Sequence, residues 1–133
     1  MEWYEGRVRQ LPGPDNALGA IKFLFPNPFD IYLHDTPAKG LFREQRRAFS
    51  HGCIRISAPH RLANYLLRNH VGWSTQKMDD LLSSSNEEYV KLDKEVPVYI
   101  LYLTAFGDHQ GNLNFREDLY QKDQALESII LKN

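Results

Sequence analysis

The residues best suited to chemistry are the single cysteine, Cys53, and two of the five histidines, His34 and His51, which precede it. A lone cysteine in such a chain is either a small buried hydrophobe or a reactive thiol. The neighbouring residue favours the thiol, because Gly52 permits close approach of a substrate backbone. A thiolate beside an imidazole is the pair that nucleophilic catalysis needs.

The spacing of apolar residues predicts that four polar or reactive side chains share one cleft. Residues 29–34, FDIYLH, alternate apolar and polar, so a strand there places Tyr32 and His34 on the same face. The same alternation in CIRI places Cys53 and Arg55 together. Two such strands side by side would bring a thiol, a base and an anion-binding group to one site.

Hydrophobic spacing and turn signals predict the elements that position these residues within one domain of 133 residues. We predict strands over residues 20–25, 29–34, 53–56, 96–104 and 113–116, the fourth of them central in a sheet. We predict helices after Ser57, Ser74 and Asp123 as N-caps, the first with an apolar stripe of Leu62, Ala63, Leu66 and Leu67. The segment 39–49 between the two site strands is predicted to be a lid with a short helix over 41–47.

Charge and hydropathy exclude several classes of function. The net charge is −1, and no basic face or motif indicates nucleic-acid binding. No apolar run approaches the roughly 20 residues of a membrane span, and the N-terminus shows no secretory signal. Basic residues are concentrated between Lys39 and Arg61, which suits a substrate that carries free carboxylates. A solvated loop kept soluble by arginines is the alternative for that segment.

The arrangement of His34, a spacer and Ser-His-Gly-Cys resembles the signature of the L,D-transpeptidase catalytic domain of the YkuD type, in its YcbB-like branch. Four further blocks match this family: PGPDNALGAIKFLFPN at 12–27, IYLHDTP at 31–37, VPVYILYLTA at 96–105 and FREDLYQKD at 115–123. The resemblance extends from about Gly6 to Asp123 and its motifs are specific in combination.

The resemblance implies a fold that is mainly β with α, a mixed β-sheet or β-sandwich with one or two packed helices. It identifies residues 1–133 as the catalytic domain, without the N-terminal strands and the peptidoglycan-binding module that YcbB-like members carry. We therefore expect an N-terminally truncated domain. The family also implies a periplasmic or cell-envelope location for the parent protein.

The activity implied by the resemblance is peptidoglycan cross-linking, with consequences for cell-wall organisation and cell shape. Cys53 would attack a donor tetrapeptide stem, release D-alanine and hold the stem as a thioester. An amine of an acceptor stem would then resolve it to a 3→3 cross-link. Carbapenem β-lactams are the covalent inhibitors that this chemistry implies, and no cofactor or metal is required.

Catalytic roles follow from the resemblance and from the residue chemistry. Cys53 is expected to be the nucleophile and His34 the base. The family resemblance implies that the other ring nitrogen of His34 is held by a nearby backbone carbonyl, that of Asp35. The N–H groups of Gly52 and Cys53, helped by the Tyr32 hydroxyl, would form the oxyanion hole. Packing alone is the alternative role for Tyr32.

Substrate-binding roles are predicted for four other residues, each with a structural alternative. Arg55 would bind a stem carboxylate or else form a salt bridge. His51 would act near the thiol or else only pack and hydrogen-bond. Ser50 would line the site or brace the turn before Cys53. Asn16 lies in a family block and would contact substrate or cap the turn at 12–19.

Three other functions remain open at this point. The same acyl-enzyme resolved by water would make the chain an L,D-carboxypeptidase or another hydrolase of wall-peptide links. A metal site using His34, His51, Cys53 and His60 is disfavoured, because the spacing lacks the paired ligands of structural zinc sites. A domain that only binds wall peptides is the third alternative. Metal content and reaction products distinguish the three.

Overall fold

The computed structural model describes residues 1–4, 6–50, 52–84 and 86–131. The chain divides into two compact units, Met1–Val96 and Pro97–Asn133. A single domain over 1–133 stays a prediction. In the described part of the chain, no helix has the length and apolar character needed to cross a membrane.

The described residues of the first unit contain five short strands in two sheets. The strands are β1 (Glu2–Tyr4), β2 (Arg7–Arg9), β3 (Lys22–Phe23), β4 (Leu33–His34) and β5 (Ile54–Arg55). β1 and β2 form an antiparallel hairpin. β3, β4 and β5 form a mixed sheet in which β4 is central, antiparallel to β3 and parallel to β5. The predicted placement of the two site strands side by side is therefore confirmed.

Both strands of the predicted hairpin over 20–34 are shorter than the alternation indicates. Asn27 explains why β3 ends at Phe23 and β4 begins only at Leu33. Its side-chain amide donates to the carbonyls of Phe25 (3.0 Å) and Ile31 (2.7 Å). Its side-chain oxygen also accepts from the N–H groups of Phe29 (3.1 Å) and Ile31 (3.0 Å). A side chain that satisfies these backbone groups replaces the strand ladder with a turn. Asp30 has a φ of 51°, which a strand does not allow.

Two helices follow the sheet in the first unit, α1 (Pro59–Leu67) and α2 (Thr75–Ser83). The apolar stripe predicted for α1 is confirmed, since Ala63 and Leu67 are buried, together with Met78 of α2. Ser74 caps α2 as predicted and accepts a hydrogen bond from the N–H of Lys77 at 3.0 Å. The prediction that Ser57 caps α1 is wrong, because Ala58 occupies that position and no side chain caps the helix.

The segment between β4 and β5 contains a 3₁₀ helix, Lys39–Arg43, instead of the helix predicted over 41–47. Residues 44–50 are exposed and irregular. Leu41 and Phe42 are half-buried. The arginines at 43, 46 and 47 are therefore exposed.

The second unit contains a hairpin and one helix. β6 (Ala105–Gly107) pairs with β7 (Leu113–Phe115), and α3 (Asp123–Ile130) follows. The prediction that Asp123 caps α3 is wrong, because Lys122 occupies the N-cap position and Asp123 is the first residue of the helix. The Asp118 carboxyl accepts from the N–H groups of Lys122 (3.0 Å) and Asp123 (2.9 Å). These N–H groups hold the pKa of the exposed Asp118 carboxyl below its ordinary value.

The central strand predicted over 96–104 is absent, and this prediction is wrong. Its apolar residues are exposed, including Tyr99 (82%) and Leu101 (74%). An apolar run becomes a central strand only where other strands offer backbone partners on both edges, and no described strand pairs with this segment. The predicted fold class, mixed β-sheet with helices, is nevertheless confirmed by the small sheets and the three helices in the part of the chain that the structure describes.

The two serines proposed as caps give a matched test of the helix termini. Ser74→Ala should lower the free energy of unfolding by about 1 kcal/mol, because the N–H of Lys77 loses its acceptor. Ser57→Ala should change it by less than about 0.5 kcal/mol. Urea denaturation followed by circular dichroism measures both. Equal losses for the two variants would contradict the capping assignment.

Candidate active site

The strand register brings together the four residues that alternation selected. Leu33 lies opposite Ile54, and His34 lies opposite Arg55. Cys53 therefore enters β5 beside Tyr32, and the N–H of Ile54 donates to the Tyr32 carbonyl at 3.0 Å. Because side chains alternate along strands, Tyr32 and His34 share a face with their neighbours on β5.

His34 is buried, with 4% of its surface exposed, and one side of its ring is fixed. Its Nδ1 makes a short hydrogen bond with the main-chain carbonyl of Asp35, the contact that the family resemblance implies. A carbonyl oxygen only accepts, so Nδ1 carries the hydrogen in this arrangement. The other nitrogen, Nε2, is then the one with a lone pair, as a general base requires.

Tyr32 contacts both reactive side chains. Its ring meets that of His34 edge-on at a centroid distance of 5.8 Å, and its hydroxyl hydrogen-bonds with Cys53. Partial burial, followed by the hydrogen bond and the charge of Cys53, raises the pKa of the Tyr32 hydroxyl above its ordinary value. The hydroxyl therefore stays protonated and can donate to a thiolate or to an oxyanion.

Cys53 is a free, half-buried thiol. Among the described residues no hydrogen bond joins it directly to His34, and Tyr32 contacts both. Catalytic hydrogen bonds are often long or absent without substrate and form in the reacting complex. Direct proton transfer between the two side chains thus stays a prediction.

Ser50 braces the turn that presents Cys53. Its hydroxyl donates to the Cys53 carbonyl at 2.6 Å and accepts from the N–H of Gly52 at 3.3 Å. The Gly52 N–H, predicted for the oxyanion hole, is thus engaged by a long and weak hydrogen bond. A substrate oxyanion is a stronger acceptor than a hydroxyl and would compete for this donor.

The other predicted substrate-binding residues differ in their surroundings. Arg55 is half-buried opposite His34. Asn16 is used within its own turn, where it accepts from the N–H of Leu18 (2.9 Å) and donates to the Leu11 carbonyl (3.0 Å). His51 lies outside the described residues. Within the residues described, no cluster of three or more His, Cys, Asp or Glu could hold a metal ion.

Asp35 is a part of the site that the sequence reasoning missed, apart from its carbonyl. Its side chain is 11% exposed, and it accepts from the N–H of Ala20 (3.0 Å), the Lys39 ammonium (2.5 Å) and the N–H of Thr36 (2.7 Å). Burial by itself raises the pKa of this carboxyl, but these donors outweigh it and hold the pKa below its ordinary value. Asp35 is therefore ionised at neutral pH.

Gly19 is the feature of the sequence that could have indicated this contact. It has a φ of +63°, and a Cβ at this position would collide with the Asp35 side chain. A glycine in the block before β3 thus makes room for a carboxylate that follows the base on β4. Only the folded chain brings the two segments together.

Comparison with known protein families matches residues 1–100 to the L,D-transpeptidase catalytic domain, YkuD. A relative in Haemophilus influenzae, named "Putative L,D-transpeptidase", is 38% identical over 120 residues. The match includes 90% of this chain and 24% of the relative. The chain therefore spans about a quarter of the length of the curated relative it matches.

Gly19 also provides a stability test of the contact with Asp35. Gly19→Ala should lower the free energy of unfolding by more than about 1 kcal/mol, because alanine resists a positive φ and its Cβ meets the carboxylate. Urea denaturation measures the change. Gly40→Ala is the control, since its Cβ would meet nothing within 4 Å and it should change the stability by less than about 0.5 kcal/mol. Equal stabilities of the two variants would contradict the collision.

Proposed function

The chain belongs to the L,D-transpeptidase catalytic-domain family, and from that premise we propose that it is a cysteine-dependent acyltransferase of peptidoglycan. Its substrates would be tetrapeptide stems, one as donor and one as acceptor. The product would be a 3→3 cross-link with release of D-alanine. The parent protein would act in the periplasm or cell envelope, where cross-links maintain wall organisation and cell shape.

The observation that carries this proposal is the pairing of β4 with β5. It brings a half-buried thiol beside Tyr32 and next to the strand that holds a buried imidazole. The Asp35 carbonyl on Nδ1 leaves Nε2 of His34 as the basic nitrogen. A nucleophile, a base and a group that orients the base are the parts that acyl transfer through cysteine requires.

The reaction would proceed in two steps that use the same residues. His34 takes the proton of Cys53, and the sulfur attacks the carbonyl carbon between the third stem residue and the terminal D-alanine. The carbon–nitrogen bond breaks, His34 returns the proton to the departing amine, and a thioester remains. An acceptor amine then attacks the thioester, loses a proton to His34 and regenerates the thiol.

Donors around Cys53 would stabilise the negative oxygen formed in each step. The protonated hydroxyl of Tyr32 already hydrogen-bonds with Cys53, and the N–H of Gly52 has only a weak partner in Ser50. One such donor contributes about 100- to 1000-fold to the rate in related sites. The structural role of Ser50 supports this geometry, because its hydroxyl binds the Cys53 carbonyl at 2.6 Å and so holds the turn before the nucleophile.

Positive charge near the site favours substrates with free carboxylates. Arg55 is half-buried opposite His34, and the exposed segment 44–50 contributes further arginines at 46 and 47. Guanidinium groups bind carboxylates through two parallel hydrogen bonds. A stem peptide presents carboxylates at its diaminopimelate and terminal residues, so Arg55 is the residue we assign to stem binding.

Acylation by a carbapenem tests the assignment of the nucleophile. Incubation should raise the intact mass of the chain by one carbapenem, because the strained β-lactam amide takes the place of the stem amide. Cys53→Ala is the matched control and should gain no mass. Wild-type chain that shows no mass gain, or a Cys53→Ala chain that gains it equally, would contradict the proposal.

The same assay ranks the two histidines as bases. His34→Ala should slow acylation by about 100-fold or more, the usual contribution of a positioned base. His51→Ala should slow it far less. The opposite order would show that the base is His51.

The identity of the second nucleophile separates transfer from hydrolysis. A tetrapeptide incubated with an amine acceptor should give the cross-linked dimer by mass spectrometry, together with D-alanine. An L,D-carboxypeptidase would give the free tripeptide acid and no dimer, because water would resolve the same thioester. Free acid as the sole product would refute transfer while leaving the cysteine chemistry in place.

A further inference from the structure

The peptide unit between Asp35 and Thr36 is hydrogen-bonded at both ends, to the His34 imidazole at its carbonyl and to the Asp35 carboxylate at its N–H. Its carbonyl oxygen contacts Nδ1 of His34. Its N–H donates to Oδ1 of the Asp35 side chain at 2.7 Å. One residue therefore supplies both the carbonyl that orients the imidazole and the carboxylate that binds the opposite side of the same unit.

The planarity of the peptide bond makes these two contacts interdependent. The carbonyl and the N–H of one unit point in opposite directions within a plane, so fixing one fixes the other. We propose that the Asp35 carboxylate is a positioning residue for the His34 base, acting through the Asp35–Thr36 peptide unit. This inference deepens the proposed function and rests on it for its catalytic meaning.

The Asp35 carboxylate is itself fixed by other contacts, as a positioning residue must be. Its second oxygen accepts from the N–H of Ala20 at 3.0 Å, and the Lys39 ammonium binds the first at 2.5 Å. Lys39 also reaches the Ser57 carbonyl at 3.4 Å. The main-chain N–H of Asp35 donates to the Ile21 carbonyl at 2.8 Å. Contacts with Ala20 and Ile21 and with Lys39 thus fix both the main chain and the side chain of Asp35.

The charge of the carboxylate adds to its geometric effect. A negative charge at the N–H end of a peptide unit polarises the unit and makes its carbonyl a stronger acceptor. The stronger acceptor favours the form of His34 that carries hydrogen on Nδ1. Asp35 would then do through one peptide unit what a triad carboxylate does by direct contact with the imidazole.

An alternative role for Asp35 is purely structural, as the partner of Lys39 in an ion pair. The two roles differ in what each substitution removes. Asp35→Ala removes the acceptor of the Thr36 and Ala20 N–H groups together with the ion pair. Lys39→Met removes the ion pair and the contact of Lys39 with the Ser57 carbonyl, and it leaves the contacts of the Asp35 carboxylate with the Thr36 and Ala20 N–H groups in place. The comparison of these two variants therefore separates the roles.

The direct test is the tautomer of His34, observed without any substrate. Long-range ¹H–¹⁵N NMR of the full chain distinguishes hydrogen on Nδ1 from hydrogen on Nε2, with His34→Ala to assign the signals. Wild type and Lys39→Met should show mainly the Nδ1–H form. Asp35→Ala should show a marked loss of that form. Asp15→Ala, a substitution at an exposed aspartate in a turn, is the matched control and should match wild type.

Acylation kinetics with a carbapenem provide the second readout. Asp35→Ala should lower the limiting rate of acylation by about 10-fold or more, with the half-saturating concentration little changed, since Asp35 orients the base and does not touch the ligand. Lys39→Met should stay within about 3-fold of wild type. Asp35→Asn, which keeps one oxygen and loses the charge, should fall between wild type and Asp35→Ala, and it replaces Asp35→Ala if that variant does not fold.

Three results would overturn the inference. They are an unchanged tautomer in the folded Asp35 variant, an unchanged limiting rate, and equal effects of Asp35→Ala and Lys39→Met, which would assign the whole effect to the ion pair. The NMR result does not depend on activity. A wild type that fails to acylate would refute the proposed function, and the tautomer comparison would still decide the role of Asp35.

Discussion

The site depends on two backbone hydrogen bonds between parallel strands. The N–H of Ile54 donates to the Tyr32 carbonyl at 3.0 Å, and the N–H of Ile56 donates to the His34 carbonyl at 2.8 Å. They close a long loop whose described residues contain no regular element besides a 3₁₀ helix, and closing it costs conformational entropy. The interactions around His34 and Asp35 help to offset that cost. Stability and site geometry are therefore coupled in this unit.

The polar groups behind the base form one continuous series of contacts. Cys53 contacts Tyr32, Tyr32 meets His34, and the peptide unit of Asp35 joins His34 to a carboxylate that Lys39 neutralises. Buried polar groups must find partners, and here His34, Asp35 and Thr36 are all buried. These contacts give each of the three residues a hydrogen-bond partner. They also fix the orientation of the His34 ring, because its Nδ1 is bound to the Asp35 carbonyl. Satisfying buried groups and orienting a base are achieved by the same hydrogen bonds.

The sequence predicted the local features of the site well because they depend on short-range rules. Alternation along two strands selected Tyr32, His34, Cys53 and Arg55, and the register places them beside one another. Ser74 was recognised as a cap because a cap needs only its own helix. The role of the Asp35 side chain was missed because it depends on Ala20 and Lys39, which only the fold brings to it. Asn27 shortened a strand for a similar reason, since its four hydrogen bonds require a particular turn.

The failed prediction over residues 96–104 shows where such rules stop. Apolar character on both faces describes what a segment can bury, whereas a strand exists only when another backbone offers hydrogen bonds. β6 and β7 pair with each other because a single turn separates them in the sequence. The segment before them pairs with no described strand, and its residues 96–103 are exposed. By contrast, every site residue comes from the first unit. Within that unit β4 and β5 supply partners to each other, so the prediction of the site did not require the central strand.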